Sequence, residues 1–185
     1  MSKNTAAPQS AQSVRNKLLI IRFSSVGDVI QTLGVIGPFK EKYPNTEIHW
    51  VIREDLQHLV KHHPQIQKVW PLSRKTGLRG LLQLAKALRK EAYFYVYDAH
   101  NNLRSHFVCG FLNPKKFIRR SKNRMKRILL FQFGHNLFPK KFIQEESFVT
   151  PLKPWGITYT IPTTSQLFIP ADVLQKVSSS LPFQK

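Results

Sequence analysis

Acidic residues are what this 185-residue chain most lacks, with 10 Asp and Glu against 29 Lys and Arg and a formal net charge of +19. An imbalance of that size points to an anionic partner, whether nucleic acid, an acidic membrane surface or a phosphorylated substrate. Cysteine is nearly absent as well. A single Cys109 excludes an internal disulfide and suits a reducing compartment. No apolar stretch approaches the ~18 residues that cross a bilayer as a helix. The polar lead MSKNTAAPQSAQSVRN lacks the apolar core of a secretory signal. The expectation is a soluble protein, or one resting on a membrane without crossing it.

Several fingerprints are missing too. No GxGxxG follows a strand, no GxxxxGK precedes Ser or Thr, and GxSxG does not occur, which removes the dinucleotide fold signature, the P-loop and the nucleophile elbow. Zinc-finger spacing, leucine-zipper heptads, RNP-like segments, internal repeats and low-complexity tracts are absent.

The most informative segment that is present is KLLIIRFSSVGDVIQTLG, residues 17–34. Leu18 to Ile21 with Phe23 form a continuous apolar run, as in strands covered on both faces of a parallel sheet. A small-residue turn, Ser24-Ser25-Val26-Gly27-Asp28, follows, and the apolar period then becomes helical at Val29, Ile30, Leu33 and Ile36. Strand, tight loop and helix in that order mark the place where open α/β sheets hold ligands. Ser24 and Ser25 offer hydroxyls, and Gly27 permits a turn or a close approach. Asp28 has two readings, a helix-capping acid or a general base held over a cleft.

The alternation continues along the chain. Glu47–Arg53, Ile66–Leu72, Ala92–Ala99 and a brief Phe117-Ile118 read as strands. Asp55–His63, the amphipathic Leu78–Lys90, Leu103–Leu112 and Arg124–Phe133 read as helices. This pattern predicts an α/β fold, a Rossmann-like parallel sheet flanked by helices with right-handed crossovers. Residues 1–16 read as a disordered lead and 17–150 as the folded domain. Residues 151–185 read as a linker-like tail, since 134–185 hold six of the 12 prolines and no strong period.

Charge is distributed unevenly. Between Ala99 and Gln144 there are eleven Lys and Arg and no acid, and eight of the cations fall in Lys115–Arg127. Natural surfaces intersperse both signs, so a run this one-sided reads as an anion-binding surface. The nearby Phe117, Phe131 and Phe133 fit core positions better than a base-stacking platform, which disfavours nucleic acid as the partner. His58 and His62 stand at i and i+4 without a neighbouring carboxylate or thiol, so no metal site is expected. Cys109 falls on the apolar side of its helix and reads as packing. His100, at the carboxyl end of a central strand on the same edge as Asp28, is either a loop histidine or a substrate contact.

Taken in order, these motifs resemble those of the ADP-heptose–lipopolysaccharide heptosyltransferases. The first 36 residues from Lys17, then IQKVWPL, then VYDAHNNLRSHF, then the basic R-x-K-x-R-x-x-R stretch agree in sequence and spacing, over about residues 17–135. The resemblance implies the N-terminal half of a GT-B glycosyltransferase, with inverting transfer from an ADP-sugar to an anionic lipid-linked acceptor. It implies Asp28 as the base. Ser24, Ser25, Gly27, His100, Arg120, Lys122, Arg124 and Arg127 are the acceptor-binding candidates. The family's P-G-A-like loop and D-x-G-x-x-H-x-A segment do not occur here, so the ADP-sugar is expected on a separate C-terminal domain or chain and no cofactor on this one. The implied location is cytoplasmic, peripheral at the inner membrane. A noncatalytic basic module that binds anionic glycolipid, a membrane surface or nucleic acid stays open beside this reading.

Overall fold

The computed structural model describes residues 16–121, 132, 134, 143–160 and 167–180. Five strands form one all-parallel sheet: β1 (Lys17–Ile21), β2 (Glu47–Arg53), β3 (Lys68–Leu72), β4 (Tyr95–Asp98) and β5 (Lys116–Arg119), in the order β3-β2-β1-β4-β5. The central strand β1 pairs with β2 through Leu18↔Ile48 and with β4 through Leu18↔Tyr95. Parallel neighbours need crossovers, and helices supply most of them: α1 (Val26–Leu33) and α2 (Ile36–Lys42), then α3 (Gly77–Lys90) and α4 (Leu103–Gly110).

Alternating side chains of each strand serve opposite faces. Leu18, Ile20, Ile48, Trp50, Tyr95 and Tyr97 pack with Val29, Leu33, Ile36 and Phe39 on one side. Leu19, Ile21, Val51 and Val96 meet Leu81, Leu84, Ala85 and Leu88 of α3 and Val108 of α4 on the other. The uninterrupted apolar run of β1 is thus the signature of a three-layer α/β sandwich.

Three expectations require correction. The helix after the Ser/Gly turn does not run on through Ile36 but breaks at Gly34-Val35 and restarts as α2. A Cβ at Gly34 would lie 2.4 Å from Glu145 Oε1, so glycine there admits a segment from far along the chain. The expected helix over Asp55–His63 is a 3-10 turn, Glu54–Leu59, and His63 is buried. The domain boundary at residue 150 also moves. A one-turn helix α5 (Glu146–Val149) and a 3-10 turn (Thr150–Trp155) insert Phe148, Val149, Leu152 and Trp155 into the core, followed by Ile157. These side chains close the face that α1 and α2 leave open. After them, α6 (Ala171–Ser180) is exposed along its described length. The helix expected over Arg124–Phe133 lies outside the described residues apart from Gln132. No helix among the described residues is long and apolar enough to cross a membrane.

Two consequences are measurable. Trp155→Ala should cost about 3–5 kcal/mol in denaturant unfolding, as for a large aromatic deleted from a core. The exposed Val177→Ala should stay within roughly 0.5 kcal/mol. Comparable small effects at both sites would return residues 151–157 to the linker.

The second concerns pH. Burial lowers the His63 ring from its ordinary 6.5 to about 4, and burial likewise lowers His49. Each ring binds fewer protons folded than unfolded, so stability is full above about pH 6.5 and is lost as pH falls toward 4. The loss per ring should not exceed ~1.4 kcal/mol per pH unit. His63→Phe, which keeps a ring against Phe168 (centroids 4.7 Å apart), should flatten this dependence in thermal melts between pH 4 and 7.

Candidate functional site

Strand order reverses between β1 and β4, and the loops at their carboxyl ends diverge to leave a crevice. Arg22 ties the two sides together. Its backbone N–H continues the sheet to Val51 O at 3.1 Å, and its carbonyl accepts from the Trp50 indole at 3.3 Å. Its side chain is only 5% exposed. One guanidinium nitrogen donates to the Ala99 carbonyl at 2.7 Å, on the loop after β4. The other donates to the Asp28 carboxylate on α1. Burial lowers the Arg22 pKa and Asp28 opposes that shift. A guanidinium does not deprotonate in proteins, so it is the ion pair that offsets its burial.

This contact bears on the helix-capping reading of Asp28. Ser25 occupies the N-cap of α1, yet no side-chain capping bond forms. Asp28 Oδ2 instead accepts from Arg22 and from the Ser25 hydroxyl, the latter at 3.0 Å. The carboxylate is therefore turned to the strand loop rather than onto the amides of its own helix, with its side chain 30% exposed. Among the described residues Oδ1 has no hydrogen-bond partner. A Cβ on neighbouring Gly27 would meet nothing within 4 Å, so the surface beside the acid is open to a ligand.

The β4 side is held by Asp98, which is fully buried. Its carboxylate accepts from Ser105 Oγ at 3.0 Å, Arg119 Nε at 2.8 Å, and the backbone N–H groups of His100 and Asn101 at 3.1 and 2.8 Å. Asn102 and Ser105 form a reciprocal capping box that starts α4. Asn101 takes φ +50, a conformation that asparagine tolerates better than most residues. These bonds give the D-A-H-N-N-L-R-S segment its physical meaning, because they fix His100 edge-on against Phe23 with ring centroids 5.1 Å apart.

Above the sheet edge lies a cleft of about 960 Å³. Phe23 and Ser24 after β1, Arg53 of β2, Ser73 and Arg74 after β3, His100 and Asn101 after β4, and Ser121 after β5 line it with Arg104 and His106 of α4. Every strand contributes at its carboxyl end. No Asp or Glu lines the cleft, whereas three arginines do. Arg53 is paired with the exposed Asp55, while Arg74 and Arg104 form no ion pair among the described residues. The cleft is suited to an anion larger than a single phosphate.

Of the residues singled out in the sequence, Ser24 and His100 line this cleft, Ser25 holds Asp28, and Gly27 opens the surface next to it. Arg120 is placed differently. Its guanidinium donates to the Ser147 carbonyl and hydroxyl at 3.1 and 2.8 Å and lies 3.7 Å from the centre of the Phe148 ring. It is engaged with the segment that closes the core and does not line the cleft. Lys122, Arg124 and Arg127 lie outside the described residues. Sequence reasoning missed Arg22 and the cleft cations Arg53, Arg74 and Arg104. Only the first had a local signal, an arginine between the apolar run of β1 and Phe23.

No family model matches the chain. Curated relatives do. It is 34% identical over 127 residues to lipopolysaccharide heptosyltransferase 1 of Campylobacter coli, covering 68% of this chain and 35% of that protein. It is 34% identical over 109 residues to the lipopolysaccharide core heptosyltransferase OpsX of Haemophilus influenzae, covering 59% of this chain and 28% of that one. The alignments thus span about a third of the length of these curated relatives. A glycosyl transferase family 9 structure from Veillonella parvula shares the fold, with TM-score 0.71 and 18% identity over 92% of this chain and 50% of its own.

The Arg22–Asp28 link makes a quantitative demand. In a double-mutant cycle of Arg22→Met and Asp28→Asn, the coupling energy from urea unfolding should fall at about 1–3 kcal/mol, as for contacting groups in one network. Additivity within about 0.3 kcal/mol would mean that the pair does not hold the loop.

Proposed function

We propose that this chain, a homologue of the lipopolysaccharide heptosyltransferases, supplies the acceptor-binding half of a glycosyltransferase acting in lipopolysaccharide core synthesis. The observation that carries the reading is the Asp28 carboxylate, turned to the sheet edge by a buried arginine at the end of the turn whose Ser24 lines the cationic cleft.

In this reading the cleft cations Arg74, Arg104 and Arg53, with His100 and His106, receive phosphates or carboxylates of a lipid-linked acceptor. Charge-assisted contacts of this kind fix the acceptor hydroxyl near attack geometry. Lys122, Arg124 and Arg127, which lie outside the described residues, join them as acceptor-binding candidates by the sequence resemblance alone. Asp28 Oδ1 takes the hydroxyl proton as that oxygen bonds to the anomeric carbon of an ADP-sugar. The bond from the anomeric carbon to the ADP oxygen breaks on the opposite face, and ADP leaves with the electron pair. The configuration therefore inverts. Arg22 and Ser25 bind the other carboxylate oxygen, which orients Oδ1 without consuming it.

The donor belongs to a second domain or chain, and this half binds no cofactor of its own. The location that follows is the cytoplasmic face of an inner membrane, held peripherally. A noncatalytic module binding anionic glycolipid would use the same cleft without needing Asp28.

Asp28→Asn separates the two readings. In an assembly of this chain with a donor-binding half, it should lower the transfer rate about 10²–10⁴-fold, the usual contribution of a positioned base. Acceptor affinity should change by no more than a few fold. Near-normal turnover by the variant would contradict the assignment.

A further inference from the structure

Phe148 puts one aromatic ring in contact with two guanidinium groups, and one of them is the group that holds Asp28. The central carbon of the Arg120 guanidinium lies 3.7 Å from the ring centre, and that of Arg22 lies 5.7 Å from it. Both fall within the ~6 Å over which a cation is attracted to an aromatic face. The ring is fully buried, and the backbone that carries it is pinned from two sides. The Tyr97 hydroxyl of β4 donates to the Phe148 carbonyl at 2.6 Å. Arg120 bonds the preceding residue, Ser147, through both its carbonyl and its hydroxyl. The β4 side fixes Arg120 in turn. Its N–H donates to the Asp98 carbonyl at 2.9 Å, and its carbonyl accepts from Asn101 Nδ2 at 2.8 Å.

Arg22 has a use for such a ring. Its two terminal nitrogens bond the Ala99 carbonyl and Asp28, while Nε is buried without a hydrogen-bond partner among the described residues. A buried donor left unpaired costs free energy, and water reaching it would give the guanidinium acceptors other than Asp28. An aromatic face beside the cation offsets part of that cost and fills space from which water would bond it. Charge acts in the same direction. Burial disfavours the Arg22 charge, Asp28 favours it, and the like charge of Arg120 disfavours it. Asp28 is the only carboxylate bonded to Arg22 among the described residues.

We infer that Phe148, fixed by Arg120, is a positioning residue for the Asp28 carboxylate and acts through Arg22. The ring confines the guanidinium, so that Oδ2 of Asp28 stays bonded and Oδ1 is left for the acceptor proton. Residues 145–149 therefore close the core and also carry the ring that keeps the acid in place at the sheet edge. The inference rests on the reading of Asp28 as the base, and it gives neither Phe148 nor Arg120 a contact with substrate.

Phe148→Leu removes the ring and keeps an apolar side chain in its place. In NMR spectra of the chain alone, exchange of the Arg22 Nε–H with water should become roughly tenfold faster or more in this variant, as in Arg120→Met. Trp155→Leu removes a nearby core ring that meets Phe39 and Tyr95 rather than Arg22. It should lower the melting temperature without changing that exchange. In the assembly with a donor-binding half, Phe148→Leu should lower kcat roughly tenfold with the acceptor KM unchanged. On top of Asp28→Asn it should cause no further loss, since the group it positions is gone. A purely structural defect would lower kcat by the same factor in both backgrounds. Unchanged exchange at Arg22 in Phe148→Leu, equal acceleration in Trp155→Leu, or the same loss of kcat with and without Asp28 would each overturn the inference. Near-normal turnover of Asp28→Asn, with fast exchange in Phe148→Leu, would remove the base reading and leave the hold of Phe148 on Arg22 supported.

Discussion

A buried guanidinium beside a carboxylate organises the functional end of this protein. Arg22 directly follows the central strand's last residue, Ile21, and is almost wholly shielded from water. It needs acceptors from within the fold, and the two it finds lie on different elements, Asp28 on α1 and the Ala99 carbonyl after β4. Burying an arginine without such partners is strongly unfavourable, so the chain has little freedom to place α1 or the β4 loop elsewhere. The same contact that satisfies Arg22 orients the acid proposed to do the chemistry. Stability and site geometry are met by one interaction.

A second buried charge plays the matching part across the crevice. Asp98 gathers four hydrogen bonds and thereby sets both the backbone of the His100 loop and the start of α4. Because α4 begins there, Arg104 and His106 are carried to the cleft wall. Arg119 pairs with Asp98 from β5 and joins the edge strand to the same knot. Two ion pairs on neighbouring central strands thus hold a cleft whose lining is otherwise cationic. The net charge of +19 acquires a structural meaning here, since the acids near this edge are largely committed to arginine partners.

Much of the fold was legible in the sequence, and its limits have physical causes. Leu18–Ile21 announces a strand covered on both faces, and the alternation of strands and helices predicts the parallel sheet. The contribution of residues 146–157 was not legible, because a one-turn helix and a 3-10 turn carrying Pro151 and Pro154 have no apolar period. Phe148, Leu152 and Trp155 are core residues only through tertiary contact. At the site, the Ser/Gly/Asp loop was readable from its local pattern. The cations of the cleft were not, because Arg53 ends β2 while Arg74 and Arg104 follow β3 and β4, and they meet only through topology. The dense run at 115–127 drew attention instead, and Arg120 within it proves to be bonded to Ser147 and stacked on Phe148.

On the proposed function, this chain binds the acceptor and not the donor. Calorimetric titration of the chain alone with a soluble, heptose-free lipopolysaccharide core acceptor, and separately with an ADP-sugar, tests it directly. Saturable acceptor binding that weakens with added salt, and no heat from the ADP-sugar, are the expected results. Binding of the ADP-sugar with silence from the acceptor would contradict the proposal.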